Sequence, residues 1–99
     1  MIIHSVYFWL RDDLSVAQQE QFRQSLAELV GITSVQTGFI GKPASTDRPV
    51  IERSYSIALI LHFDSLADHD DYQEHAVHRA FIENCKTFWS RVSITDIEC

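Results

Sequence analysis

The chain has 99 residues, 45% of them hydrophobic and 22% charged, with a net charge of −6 from 8 basic and 14 acidic residues. This length suits one domain spanning residues 1–99 with a modest core, and the composition excludes a disordered chain. A negative chain repels phosphate backbones, and its cations are scattered (Arg11, Arg23, Lys42, Arg48, Arg53, Arg79, Lys86, Arg91), so no nucleic-acid partner is expected.

Residues 2–10 are β-branched and aromatic and predict a first strand. Side chains alternate across a strand, so one face carries Ile2, His4, Val6, Phe8 and Leu10 and the other Ile3, Ser5, Tyr7 and Trp9. Both faces are largely apolar. This opening lacks a basic region and runs into Arg11-Asp12-Asp13, so no secretory leader is expected, and no apolar run reaches the ~18 residues of a membrane span.

Ser15 and Gln18 have capping-box spacing and predict a helix start. Phe22, Leu26, Leu29 and Val30 form its apolar stripe, and Gly31 stands where a left-handed C-cap is expected. A weaker strand is predicted over 33–41. A loop with Pro43 and Pro49 follows over 42–52. Residues 54–63 predict a third strand, with Tyr55, Ile57, Leu59, Leu61 and Phe63 on one face and Ser56, Ala58, Ile60 and His62 on the other.

Ser65, with Asp68 three residues on, predicts another helix start, running through Tyr72 towards His75. A second helical run places Val77, Phe81, Cys85, Phe88 and Trp89 on one stripe, with a break near 75–77. Residues 91–98 predict the fourth strand. The order β-α-β-β-α(α)-β is the α+β, ferredoxin-like split βαβ plan, a four-stranded antiparallel sheet with helices on one face. The helices cover one side only. The second apolar face, with Tyr7, Trp9, Ala58 and Ile60, calls for a second copy of the sheet and hence a homodimer.

Three stretches resemble the stress-responsive A/B barrel (Dabb) family: Ile3 to Phe8, Tyr55 to Phe63, and Asp71-Tyr72-Gln73-Glu74-His75-Ala76-Val77-His78-Arg79-Ala80-Phe81, with Phe88, Trp89 and Asp96 fitting its C-terminal pattern. The resemblance implies a dimeric α+β barrel with a pocket between sheet and helices in each subunit. One enzyme group in it, the plant olivetolic acid cyclases, closes a polyketide by aldol condensation. By that resemblance His78 matches the base, Tyr72 the assisting tyrosine and His4 a pocket histidine. Ala76 replaces the proline of the HPxH pattern, and Ile57 replaces a third-strand pocket histidine.

An aldol closure removes a proton next to a carbonyl and stabilises the enolate oxygen, work suited to an imidazole and a phenol. His78 is either that base or a structural histidine bonded to a backbone carbonyl. Tyr72 and His78 are six residues apart, ~600° on a continuous helix, and meet only if the chain bends between them. The expected pocket is lined by Val6, Phe8, Phe22, Leu59, Leu61, His75, Phe81 and Trp89 and takes a small apolar ligand. His75 and His78, an i, i+3 pair, do not complete a metal site, so no metal is assigned. No phosphate loop or cofactor motif is present, so no cofactor is expected. Cys85 and Cys99 do not form a CxxC pair, which suits a reducing, cytoplasmic setting. Two functions follow: acid–base chemistry on a small carbonyl compound, or a non-catalytic stress-response dimer. A cavity of ~300 Å³ or more beside His78 would favour the first and a solid interior the second.

Overall fold

A computed structural model describes residues 1–99. The elements are β1 (Ile2–Leu10), α1 (Val16–Val30), β2 (Thr37–Gly41), β3 (Ile57–Phe63), α2 (Leu66–Glu74), α3 (Ala76–Cys85) and β4 (Trp89–Glu98). The four strands form one antiparallel sheet in the order β2-β3-β1-β4, which is the ferredoxin-like α+β arrangement. No helix is long and apolar enough to cross a membrane.

Alternation along the strands decides which side the helices cover. Ile2, His4, Val6 and Phe8 of β1 and Ile57, Leu59, Leu61 and Phe63 of β3 are all buried beneath them. From above, Phe22, Leu26 and Leu29 of α1, Tyr72 of α2, and Phe81 and Cys85 of α3 close the core. Burying one such side chain contributes about 1.5–3 kcal/mol, so these two rows dominate the fold's stability.

The helix starts follow their caps. Ser15 accepts from the Gln18 N–H while the Gln18 side chain accepts from the Ser15 N–H, so the capping box is complete. Ser65 accepts from the Asp68 N–H. Gly31 departs from expectation: its φ is −79°, right-handed. The chain tightens there through Gly31 N–H to Glu28 O and Ile32 N–H to Leu29 O, so no left-handed reversal is needed.

Three strand boundaries also shift. β2 begins at Thr37, because residues 32–35 make a further turn held by Val35 N–H to Ile32 O. β3 begins at Ile57, because Ser54 and Ser56 spend their hydroxyls on Trp9 Nε1 and Leu10 N–H. Tyr55 therefore does not share the buried face of β3. It packs against Tyr7 and Trp9 on the far side, with ring centroids 5.0 and 6.5 Å away. Trp89 opens β4 opposite Leu10 instead of ending a helical stripe, since α3 stops at Cys85 and a turn places Phe88 and Trp89 back over the core.

The helix-free face carries Ile3, Tyr7 and Trp9 of β1, with Ile60 opposite Ser5 and Phe39 opposite Ile60. Phe39 is 64% exposed and Ile97 is 53% exposed. Arg91 lies 4.1 Å above the Trp9 ring, where its cation meets the negative aromatic face. Both cysteines are free thiols, Cys85 buried and Cys99 exposed.

Candidate active site

Between the sheet and the two short helices lies a cavity of about 160 Å³. Ten of its thirteen lining residues are hydrophobic, which makes it an apolar chamber with a few polar points. Its floor is His4, Val6 and Phe8 of β1 with Leu59 of β3; Tyr72, Gln73, His78 and Phe81 form the roof; Trp89, Val92 and Ile94 of β4 form one side.

The break between α2 and α3 builds the polar end. His75 has φ −64° and ψ 143°, extended backbone that ends one helix and starts the next. Its N–H donates to Tyr72 O, and its Nδ1 accepts from the Val77 N–H, so one residue terminates α2 and caps α3. The change of axis brings the Tyr72 and His78 rings to a centroid separation of 4.9 Å, edge to face. His4 reaches the same group from below, with its ring 5.8 Å from Tyr72. Tyr72 stands between the two histidines.

Burial alone raises the Tyr72 phenol far above its ordinary range, so it remains a neutral O–H donor. Burial is also the main reason the His78 pKa is lowered; the nearby His4 and His69 add to this, and the Gln73 backbone carbonyl partly offsets it. His78 is therefore a neutral imidazole at neutral pH, able to accept a proton. The pKa of His4 is lowered too, by burial first, against the raising effect of Asp96. His4 Nδ1 lies 2.6 Å from Asp96 Oδ1, its direct partner across the β1–β4 ladder.

The sequence-derived site residues divide into two groups. His4, Tyr72, His78, Val6, Phe8, Leu59, Phe81 and Trp89 line the cavity. Three expected lining residues do not. Phe22 and Leu61 are wholly buried in the core beyond the cavity. His75 is turned outwards as the helix cap and borders a separate shallow groove with Glu28 and Thr33. It therefore does not share a face with His78, and the i, i+3 relationship is lost in the extended residue between the helices. Leu29, Gln73, Ile82, Val92 and Ile94 complete the wall. Register could have found two of these, because Ile94 and Val92 sit opposite Val6 and Phe8. The cavity is also smaller than the ~300 Å³ expected for a ligand site, though the interior beside His78 is not solid.

Among curated proteins, no sequence matches the chain. Similar solved structures include a dimeric ferredoxin-like protein of unknown function from Thermobifida fusca (21% identity, 99% of this chain and 90% of that one covered, TM-score 0.79). A Dabb-family protein with a ferredoxin-like fold from Mesorhizobium loti superposes with a TM-score of 0.79 at 19% identity, covering 99% and 95%. A hydroxynitrile lyase from Passiflora edulis does so with a TM-score of 0.80 at 17% identity, covering 97% and 90%. At these identities the likeness speaks for the fold. Residues 2–99 match the family described as the stress responsive A/B barrel domain. With that match spanning nearly every residue and the split βαβ sheet beneath it, the chain belongs to the stress responsive A/B barrel domain family.

Proposed function

We propose that the chain is a homodimer whose cavity binds a small, mostly apolar carbonyl compound and works on it by acid–base chemistry. The observation that carries this reading is the meeting of Tyr72 and His78 at the roof of an apolar chamber. His78, neutral, takes a proton from the carbon beside the carbonyl or, in a cyanohydrin, from the hydroxyl as C=O forms, the C–CN bond breaks and the departing cyanide takes the proton back from His78. Tyr72, held protonated, donates to the carbonyl oxygen as negative charge gathers there. His4, fixed by Asp96, orients the bound molecule from the floor. A chamber of about 160 Å³ suits a compact ligand of roughly benzene size better than an extended polyketide. The hydroxynitrile lyase on the same fold supports carbonyl-forming cleavage as a reaction to try first. The second copy packs its sheet on the helix-free face, a reading supported by dimeric relatives of the same fold.

The test is a screen of small aldehydes, ketones and their cyanohydrins, followed by variants on any substrate turned over. Tyr72→Phe should lower kcat about 10²–10³-fold, the usual loss for one donor at a developing oxyanion. His78→Ala should lower it at least as far. Full turnover in His78→Ala would overturn the mechanism. The competing reading, a non-catalytic dimer, is favoured by the Gln73 carbonyl at His78, which gives that imidazole a structural partner. It predicts that the screen finds neither binding nor turnover.

A further inference from the structure

Beside the cavity, where β1 and β4 meet α2, three potential ligands converge. His4 and Asp96 face each other across the ladder, and His69 reaches them from α2. The His4 and His69 ring centroids are 5.1 Å apart, and His69 Nε2 lies 3.6 Å from Asp96 Oδ1. One ligand atom from each residue falls within 4.8 Å of the other two.

The state of His69 makes this more than a chance cluster. Its Nδ1 lies 3.1 Å from Asp70 Oδ1, and the neutral tautomer that fits this contact has its proton on Nδ1, donated to that carboxylate. Nε2 is left with a bare lone pair, is shielded from solvent and has no hydrogen-bond partner. It faces a carboxylate oxygen at a separation too long for a hydrogen bond, and neither atom has a proton to offer. Buried polar atoms are rarely left this way. A cation there gives Nε2 the partner it lacks and shares the carboxylate oxygen that already holds His4. A carboxylate behind a metal-bound imidazole is also the usual outer support of such a ligand, and Asp70 already occupies that place.

The geometry points to a divalent transition-metal site formed by His4, His69 and Asp96, with Zn²⁺ the best-matched ion. Two imidazoles and one carboxylate suit zinc and its first-row neighbours; magnesium and calcium prefer all-oxygen shells. Three protein ligands leave a position for water. Asp96, with 48% of its side chain exposed, provides the opening to solvent. Loading replaces the His4–Asp96 hydrogen bond: His4 changes tautomer, its proton moving from Nδ1 to Nε2 by exchange with solvent, and the two atoms part from 2.6 Å to about 3.3 Å, as tetrahedral bonds of ~2.0–2.1 Å require. The site shares His4 with the acid–base reading, but His69 and Asp96 lie outside the cavity lining and binding is measured without substrate, so failure of one reading is distinguishable from failure of the other.

The experiment is calorimetric titration of the full chain with Zn²⁺, paired with Co²⁺ titration followed by visible absorption. The expected result is one ion per chain, a Co²⁺ ligand-field spectrum of low coordination number, and a raised Tm with Zn²⁺. His69→Ala and Asp96→Asn should each weaken binding at least 100-fold and abolish the Co²⁺ bands. His62→Ala, at a surface His62–Asp64 pair 3.8 Å apart, should leave both unchanged. Far-UV circular dichroism checks each variant, and His69→Gln, which keeps a polar side chain, stands in if His69→Ala does not fold. No binding by the wild-type chain, or binding that survives loss of His69, overturns the site.

Discussion

The Tyr72 and His78 rings lie 4.9 Å apart although six residues of unbroken helix would turn them to different faces. The residue responsible is His75, whose extended backbone and capping imidazole reset the helix axis between them.

His75→Ala should therefore act on both stability and chemistry. Loss of the cap should cost about 1 kcal/mol, and loosening of the joint should lower kcat on any identified substrate. His75→Asn, a good cap that still breaks the helix, should recover most of both. Urea denaturation and steady-state kinetics on the three proteins check this. An alanine variant of wild-type stability would remove His75 from the role.

Stability should depend on pH through His78. Its pKa in the folded chain lies below the ordinary 6.5, because of burial and the neighbouring His4 of β1 and His69 of α2, against the Gln73 carbonyl. Tyr72 packs on it as a neutral phenol and adds no charge. The unfolded chain thus binds a proton at a pH where the folded chain does not, and stability falls as pH drops from about 6.5 to the lower folded value. The loss levels off below that value. Urea midpoints from pH 8 to 5 should decline more steeply for wild type than for His78→Gln. The acid limb of any His78-dependent rate should lie on the low side of 6.5.

Gly38 is the tightest backbone approach in the fold. A Cβ there would sit 2.9 Å from Leu61 Cδ2 and from both γ-carbons of Val30. Leu61 is fully buried and has no room to move. Gly38→Ala should cost about 1–3 kcal/mol by overpacking. For a domain of this size each kcal/mol lowers Tm by about 4–8 °C, which a thermal melt resolves readily. An unchanged melt would mean that α1 and β2 are not held in this register.

Tyr7→Glu or Trp9→Glu places a charge in the helix-free face, beside Tyr55 and Arg91. The expected outcome is a shift from dimer to monomer in sedimentation at micromolar concentration. A wild-type chain that is monomeric there, stable and free of aggregation would remove the sheet-to-sheet dimer.

The fold was legible in the sequence because its strands are two-sided and its caps are local. Ile2 to Leu10 announces its two faces by alternation, and Ser15 with Gln18 announces a helix within four residues. Tyr72, His78 and His4 were legible as a group through family resemblance, and Val6, Phe8 and Leu59 through strand parity. What stayed hidden depends on interactions between distant residues. His75 could not be assigned as a cap until its Nδ1 was seen on the Val77 N–H. Phe22 and Leu61 share the apolar faces that line the cavity, and only depth along those faces separates wall from core. The approach of His69 to Asp96 joins residues far apart in the chain, and no spacing signals it.

β1 is hydrogen-bonded on one side to β3 and on the other to β4, so Val6 waits for both Leu59 and Ile94. Pairings so distant along the chain carry a large loop-closure penalty and slow the search for the native state. The floor and side wall of the chamber come from these late-meeting strands, so a collapsed state without their pairing lacks a binding surface. A ligand of the chamber would leave the refolding rate untouched and act wholly by retarding unfolding.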